Sequence, residues 1–178
     1  MLEGKIRESI SKASTKALRK DGYLIANIYG KGALNVHCAF KNNDFIREVK
    51  AKQSLVFQVS LDGKIYDVAI KEYQRDVVSG QILHVDLLLA QKGIKANYKV
   101  PVRSVGIPVG LKNKGVLLTS KKVLTVFGAP EDIPSAFEIN VEKLDIGDSI
   151  LVRDIPINAN IQILEKPAVA ILGVVKAK

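Results

Sequence analysis

The sequence predicts a mainly β chain: an N-terminal antiparallel β-barrel carrying two or so short helices, followed by a C-terminal all-β domain. Three observations predict it. Short runs rich in Val, Ile, Leu and Tyr recur along the 178 residues and alternate with polar positions, which is the period of a half-buried strand. Asp62-Gly63 stands between two such runs, and this dipeptide is the strongest short-range hairpin signal. Beyond residue 95, glycine and proline recur so often (Pro101, Gly106, Pro108, Gly110, Gly115, Gly128, Pro130, Pro134, Gly147, Pro156, Pro167) that no long helical pattern develops.

Residues 9–20, Ser-Ile-Ser-Lys-Ala-Ser-Thr-Lys-Ala-Leu-Arg-Lys, form the first predicted helix. It is stopped at Asp21-Gly22, where glycine accepts the left-handed conformation. At about 100° per residue, Lys12, Lys16, Arg19 and Lys20 share one arc and Ile10, Ala13, Ala17 and Leu18 the opposite one. The helix thus gains a basic stripe and a small apolar seat, and the stripe is either a phosphate-facing surface or a solvated face of the ordinary kind. Residues 23–29 then read as a strand closed by Gly30-Lys31-Gly32.

In the next strand Leu34, Val36, Cys38 and Phe40 share one face. Cys38 therefore reads as a small core residue and His37, on the polar face, as a surface residue. Asn42-Asn43-Asp44 supplies a cap signal for a short second helix bearing Phe45, Ile46 and Val49. Strands 54–61 and 64–71 flank Asp62-Gly63, and Ser79-Gly80 turns the chain into Gln81-Ile82-Leu83-His84-Val85-Asp86-Leu87. These strands close, or nearly close, into a barrel that protects their edges.

Periodicity pauses at Ala90-Gln91-Lys92-Gly93, which sets expected domains at 1–91 and 92–178. In the second, Gly106-Ile107-Pro108-Val109-Gly110 leads into no helix and reads as a turn. Asp145-Ile146-Gly147-Asp148 reads as a turn between strands at 141–144 and 149–153.

Composition narrows the function. Lys and Arg number 27 against 18 Asp and Glu, a net charge of +9, which draws a protein toward polyanions. The excess is shared, 15 basic against 10 acidic residues up to Lys92 and 12 against 8 beyond, but residues 1–20 are densest with six against two. Cys38 is the only cysteine, so no intramolecular disulfide forms and a reducing compartment is expected. With only two histidines, His37 and His84, a Cys/His metal site is not expected, and no cofactor is implied. No secretory or membrane-spanning stretch is visible, so a soluble cytoplasmic location is expected.

The period-two rule puts His84 and Asp86 on one face of their strand. As catalytic partners they lack a nucleophile placed by motif, their same-face side chains point outward in parallel, and no glycine-rich phosphate loop is present. The chain is therefore read as a non-enzyme. As a recognition surface, Gln74, Arg75, His84 and Asp86 offer donors and acceptors for base edges and sugar hydroxyls, while the basic helix meets phosphates. Aromatic residues are only 6%, and without paired stacking residues the partner is a helical RNA entered through its wide minor groove rather than a single strand. Asp86 either touches RNA or fixes His84 or Arg75.

Several short motifs, in order and spacing, resemble the bacterial large-subunit ribosomal protein family of the L25 type, in its two-domain general stress protein Ctc form. They are Arg7 and 12–19 before Gly22, Ile28-Tyr29-Gly30, Gln74-Arg75-Asp76, His84-Val85-Asp86, Val100-Pro101-Val102, Gly106-Ile107-Pro108-Val109-Gly110, Pro130-Glu131-Asp132-Ile133-Pro134 and Leu144-Asp145-Ile146-Gly147-Asp148-Ser149. The resemblance implies a structural, ribosome-associated protein. Its N-terminal barrel would bind 5S ribosomal RNA, chiefly through the minor groove of the irregular internal-loop helix, and its C-terminal β domain has a less defined role.

Carried over residue by residue, Arg7, Lys12, Lys16 and Arg19 match basic positions near phosphates. Tyr29 and Gly30 match the strand end facing RNA, and Gln74, Arg75, His84 and Asp86 the reading face. The expected partners are 5S RNA and other large-subunit components, with no membrane, no small-molecule substrate and a monomer away from the ribosome. Departures from the family pattern are Ile25 for proline, Asn27 for an apolar residue, Ala17 for a basic one, Leu87 for phenylalanine and Val77 for proline. Two alternatives stand beside this: a stress-induced RNA- or ribosome-binding factor of the same fold, and a β-rich protein-interaction scaffold.

Overall fold

The computed structural model describes residues 1–30, 32, 35–52 and 54–177. Contacts divide the chain into two units, 1–94 and 95–178. In the first, β1 (Leu2–Ile6), β2 (Tyr23–Tyr29), β3 (Val36–Lys41), β4 (Val56–Leu61), β5 (Lys64–Arg75) and β6 (Ile82–Leu89) close into a barrel in the order β1-β3-β2-β6-β5-β4. Closure leaves no strand of the barrel with an unpaired edge. Four of the neighbouring pairs are antiparallel, while β1 with β4 and β2 with β6 run parallel.

Alternation decides what lies inside. Leu24, Ala26 and Ile28 of β2 meet Cys38 and Phe40 of β3, Val59 and Leu61 of β4 and Val85 and Leu87 of β6 in one core. Cys38 is fully buried, and burial pushes its thiol up to about 12, so it packs as an apolar residue and carries no thiolate. Leu34, expected to start that strand's inward row, and Lys31 lie outside the described residues.

Strand β1 falls where no strand was expected, since only Leu2 of its five residues is buried. Its Gly4 pairs directly with Phe40. A Cβ there would stand 2.4 Å from Phe40 Cε1 and 2.8 Å from Leu61 Cδ2, so the missing side chain lets β1 lie against the core and seal the barrel. At the far end of β4, Asp62 and Gly63 take φ values of +48° and +82°, the paired left-handed geometry of a two-residue hairpin turn.

Both helices differ from expectation in detail. Helix α1 spans Lys12–Lys20, and Ser11 Oγ accepts from the Ser14 amide as its cap. Its inward side is Ser14, Thr15 and Leu18, while Ile10, Ala13 and Ala17 are exposed. The seat is therefore largely hydroxyl rather than alanine, because side-chain hydrogen bonds dock it. Helix α2 spans Asn42–Ala51 and starts one residue earlier than its cap signal suggested: Lys41 occupies the cap position without a side-chain bond. Phe45 is buried and stacks obliquely on Phe40 with centroids 6.4 Å apart.

The second unit is all-β apart from single helical turns. Strands β7 (Ala96–Val105), β8 (Gly115–Thr119), β9 (Val123–Gly128), β10 (Phe137–Asn140), β11 (Ser149–Leu151), β12 (Gln162–Ile163) and β13 (Ala170–Lys176) form a sheet ordered β10-β7-β9-β12 and another ordered β11-β13-β8. Two expectations are corrected. A one-turn helix α3 (Val109–Lys112) does follow Pro108, a residue that pre-sets an extended approach to a helix start. No strand covers 141–144; the strand there is β10, because Val141 and Leu144 close a tight turn through the Leu144 amide and the Val141 carbonyl at 3.0 Å. The turn at 145–148 is present, with the Asp145 amide donating to Asp148 Oδ2 at 2.9 Å.

Candidate nucleic-acid interface

Strand register builds the outer face of the barrel. Residue pairs His37↔Asn27, Asn27↔Asp86 and Asp86↔Glu72 lie across β3, β2, β6 and β5, and so form one continuous outward row. The adjacent row is Ala39, Ile25, His84 and Gln74. Ile25 and Ala39 point outward yet are buried, because α1 packs across β2. Strand β5 makes this array possible by running four residues beyond its expected end at Lys71, with a register shift between Ile70 and Glu72. Beyond it, Asp76 Oδ1 accepts from the Val78 and Ser79 amides at 3.0 and 2.7 Å and fixes the turn into β6.

Hydrogen bonds order the rows. His84 Nδ1 lies 3.1 Å from Asp86 Oδ1, so these same-strand neighbours do meet, contrary to the parallel-pointing expectation. The side chains are 19% and 35% exposed, half-sheltered in the face. Burial, with help from Arg19, Arg7 and His37, holds the His84 imidazole below its ordinary value, and Asp86 opposes it. His84 is therefore neutral near pH 7. Its Nδ1–H is tied to a carboxylate, which leaves Nε2 as an acceptor. Tyr29, at the end of β2, keeps its phenol proton more firmly than usual through burial and the nearby Asp86 and Glu72 charges. Gly30 follows it, half-buried.

The pH consequence has a definite sign. The folded His84 binds its proton less tightly than the unfolded chain, so its contribution is intact above the ordinary 6.5 and is eroded as pH falls from there through the lower folded value. Thermal melts between pH 7.5 and 5 are expected to show a falling Tm, with a shallower fall in His84→Gln. Parallel curves for the two proteins would overturn the assignment.

The basic residues divide into two groups. Arg7 Nη2 donates to Thr15 Oγ1 at 2.7 Å and to the Ser9 carbonyl at 3.4 Å, and Arg19 donates to the Leu83 carbonyl at 3.1 Å. Both guanidiniums fasten α1 to the barrel. Lys12, Lys16 and Lys20 are exposed on the opposite side of α1 and make no hydrogen bond or ion pair among the described residues. Arg75 lies 5.1 Å over the Tyr73 ring at the tip of β5, apart from the His84 cluster.

The structure thus brings Tyr29, Gln74, His84, Asp86 and Arg19 together beside the lysine stripe, and commits Arg7 to the protein. It adds Asn27, His37 and Glu72, which the sequence reading did not select. Alternation put Asn27 and His37 on polar faces, but only register shows that they stand beside Asp86. Among the described residues no three His, Cys, Asp or Glu side chains gather as a metal site, and no helix is long and apolar enough to cross a membrane.

Comparison with known proteins agrees with this architecture over its whole length. Residues 2–87 match the ribosomal L25p family, and residues 95–178 match the C-terminal domain of ribosomal protein TL5. Proteins called large ribosomal subunit protein bL25 from Helicobacter hepaticus, Wolinella succinogenes and Helicobacter pylori are 60%, 56% and 54% identical, each covering 100% of both chains. The two matched ranges fall on the two units of the chain, the barrel and the β-rich second unit, and the chain belongs to the ribosomal L25p family.

Proposed function

We propose that this chain is a non-catalytic, structural constituent of the large ribosomal subunit in the bacterial cytoplasm, and that its first unit binds 5S ribosomal RNA through the minor groove of the irregular internal-loop helix. The observation that carries this reading is the polar row across β3, β2, β6 and β5 with His84 and Gln74 beside it, edged by the free lysines of α1. An RNA minor groove is wide and shallow and displays 2′-hydroxyls and base edges, which suits short side chains on a convex sheet. Phosphates on either side suit flexible ammonium groups. The relatives' names supply the ribosomal setting.

Within the array, His84 and Gln74 are directly paired across β5 and β6, and Gln74 is exposed without a partner among the described residues. These two are assigned to reading, and Asp86 to fixing the imidazole of His84. Gel-shift titration against 5S RNA and transfer RNA tests this. The native chain is expected to prefer 5S RNA, and His84→Ala or Gln74→Ala to narrow that preference roughly tenfold. Equal affinity of the native chain for both RNAs would overturn the reading.

A further inference from the structure

The His37–Asn27 pair occupies the β3 end of the outer row, where the two side chains meet across the paired strands β2 and β3. His37 Nδ1 and Asn27 Oδ1 are 2.8 Å apart. An amide oxygen only accepts, so Nδ1 carries a proton and, in the neutral ring, Nε2 keeps its lone pair. His84 is in the same state, its Nδ1 tied to Asp86 Oδ1 at 3.1 Å. Neither Nε2 has a hydrogen-bond partner among the described residues. Two imidazoles on neighbouring rows are thus locked in one tautomer, each by an oxygen on its own side of the seam between β2 and β6.

We infer that Asn27 and His37 extend the RNA-binding face onto β3 as an acceptor site for minor-groove donors, the guanine exocyclic amine or the ribose 2′-hydroxyl. This rests on the RNA-binding reading above. The row His37, Asn27, Asp86, Glu72 spans three strand spacings, about 14 Å, and is dominated by acceptors. In a minor groove the base-edge donor is the guanine amine, and the 2′-hydroxyl is the sugar donor. A neutral imidazole nitrogen accepts from either without adding a carboxylate's repulsion toward the flanking phosphates. The Asn27 amide nitrogen remains as the donor of the pair, suited to a neighbouring ribose or base acceptor.

Full-length protein titrated with 5S RNA carrying single inosines, which lack the amine, or single 2′-deoxynucleotides tests the inference. His37→Phe keeps the ring without its nitrogens, and Asn27→Leu removes the group that sets the tautomer. Each is expected to remain folded, with a modestly lowered melting temperature from the lost hydrogen bond, and to bind native 5S RNA about 5–20-fold more weakly. Each should also lose nothing further at one substituted position that weakens the native protein by a similar factor. An inosine at that position identifies the amine and a deoxynucleotide the hydroxyl. Native-like affinity of both variants, or equal losses on native and on every substituted RNA, overturns the inference. His84→Ala separates the levels: if it abolishes the 5S preference while His37→Phe does not, only this extension fails. If His84→Ala also leaves that preference intact, the reading of the face fails with it.

Discussion

Replacing Lys12, Lys16 and Lys20 together by alanine is expected to flatten the salt dependence of RNA binding by about 2.7 in the slope of log K against log salt, the equivalent of three phosphate contacts. Between 50 and 200 mM salt this makes the native protein lose about 40-fold more affinity than the variant. The substitutions leave the fastenings of α1 untouched, because its cap is Ser11 and its anchors are Arg7 to Thr15 and Arg19 to the Leu83 carbonyl. Alanine also favours the helix. The loss should be similar on 5S and transfer RNA, in contrast to His84→Ala, which should alter preference and leave the slope in place. An unchanged slope would show that the stripe is only a solvated face.

Phe40→Ala is expected to remove about 3–5 kcal/mol from the stability of the first unit, a large part of the about 5–15 kcal/mol of an ordinary domain. The ring is fully buried, stacks on Phe45 and covers Gly4 across the β1–β3 pair. Its removal leaves a void beside two strands at once, since Phe40 pairs with Leu24 of β2 as well as with Gly4 of β1. Denaturant unfolding of the full chain measures it, and a loss below about 1 kcal/mol would show that the barrel collapses onto the gap.

Local chemistry was legible in the sequence, and long-range pairing was not. Asp62-Gly63 specified its turn through backbone preference, and the alternation around Cys38 and Val85 placed both inside. The outward polar face was legible through His84 and Asp86, because side-chain period alone puts them on one side. What escaped depends on partners distant in sequence. Strand β1 has a weak pattern, with one buried residue, and exists because β3 and β4 receive it on either side. The inward side of α1 was misassigned because a helical wheel ranks Ala13 and Ala17 above Ser14 and Thr15, whereas the Thr15 hydroxyl, which accepts from Arg7, is what docks it. Asn27 and His37 drew no attention as a pair, since neither is near the other, or near Asp86, until register is known.

The parallel seam between β2 and β6 also fixes when this surface comes into being. Asn27 and Asp86 are neighbours across it, yet Asp86 is synthesised roughly 3–12 s after Asn27 at about 5–20 residues per second. Until then β2 has no partner on that side, and loop-closure entropy delays such distant pairings further. The lysines of α1 are synthesised first and attract polyanions by charge alone. If the face reads RNA as proposed, discrimination arrives only when β6 joins. On the proposed reading a nascent chain is thus electrostatically adhesive before it is selective, and its commitment to one RNA is postponed until nearly the whole first unit has emerged.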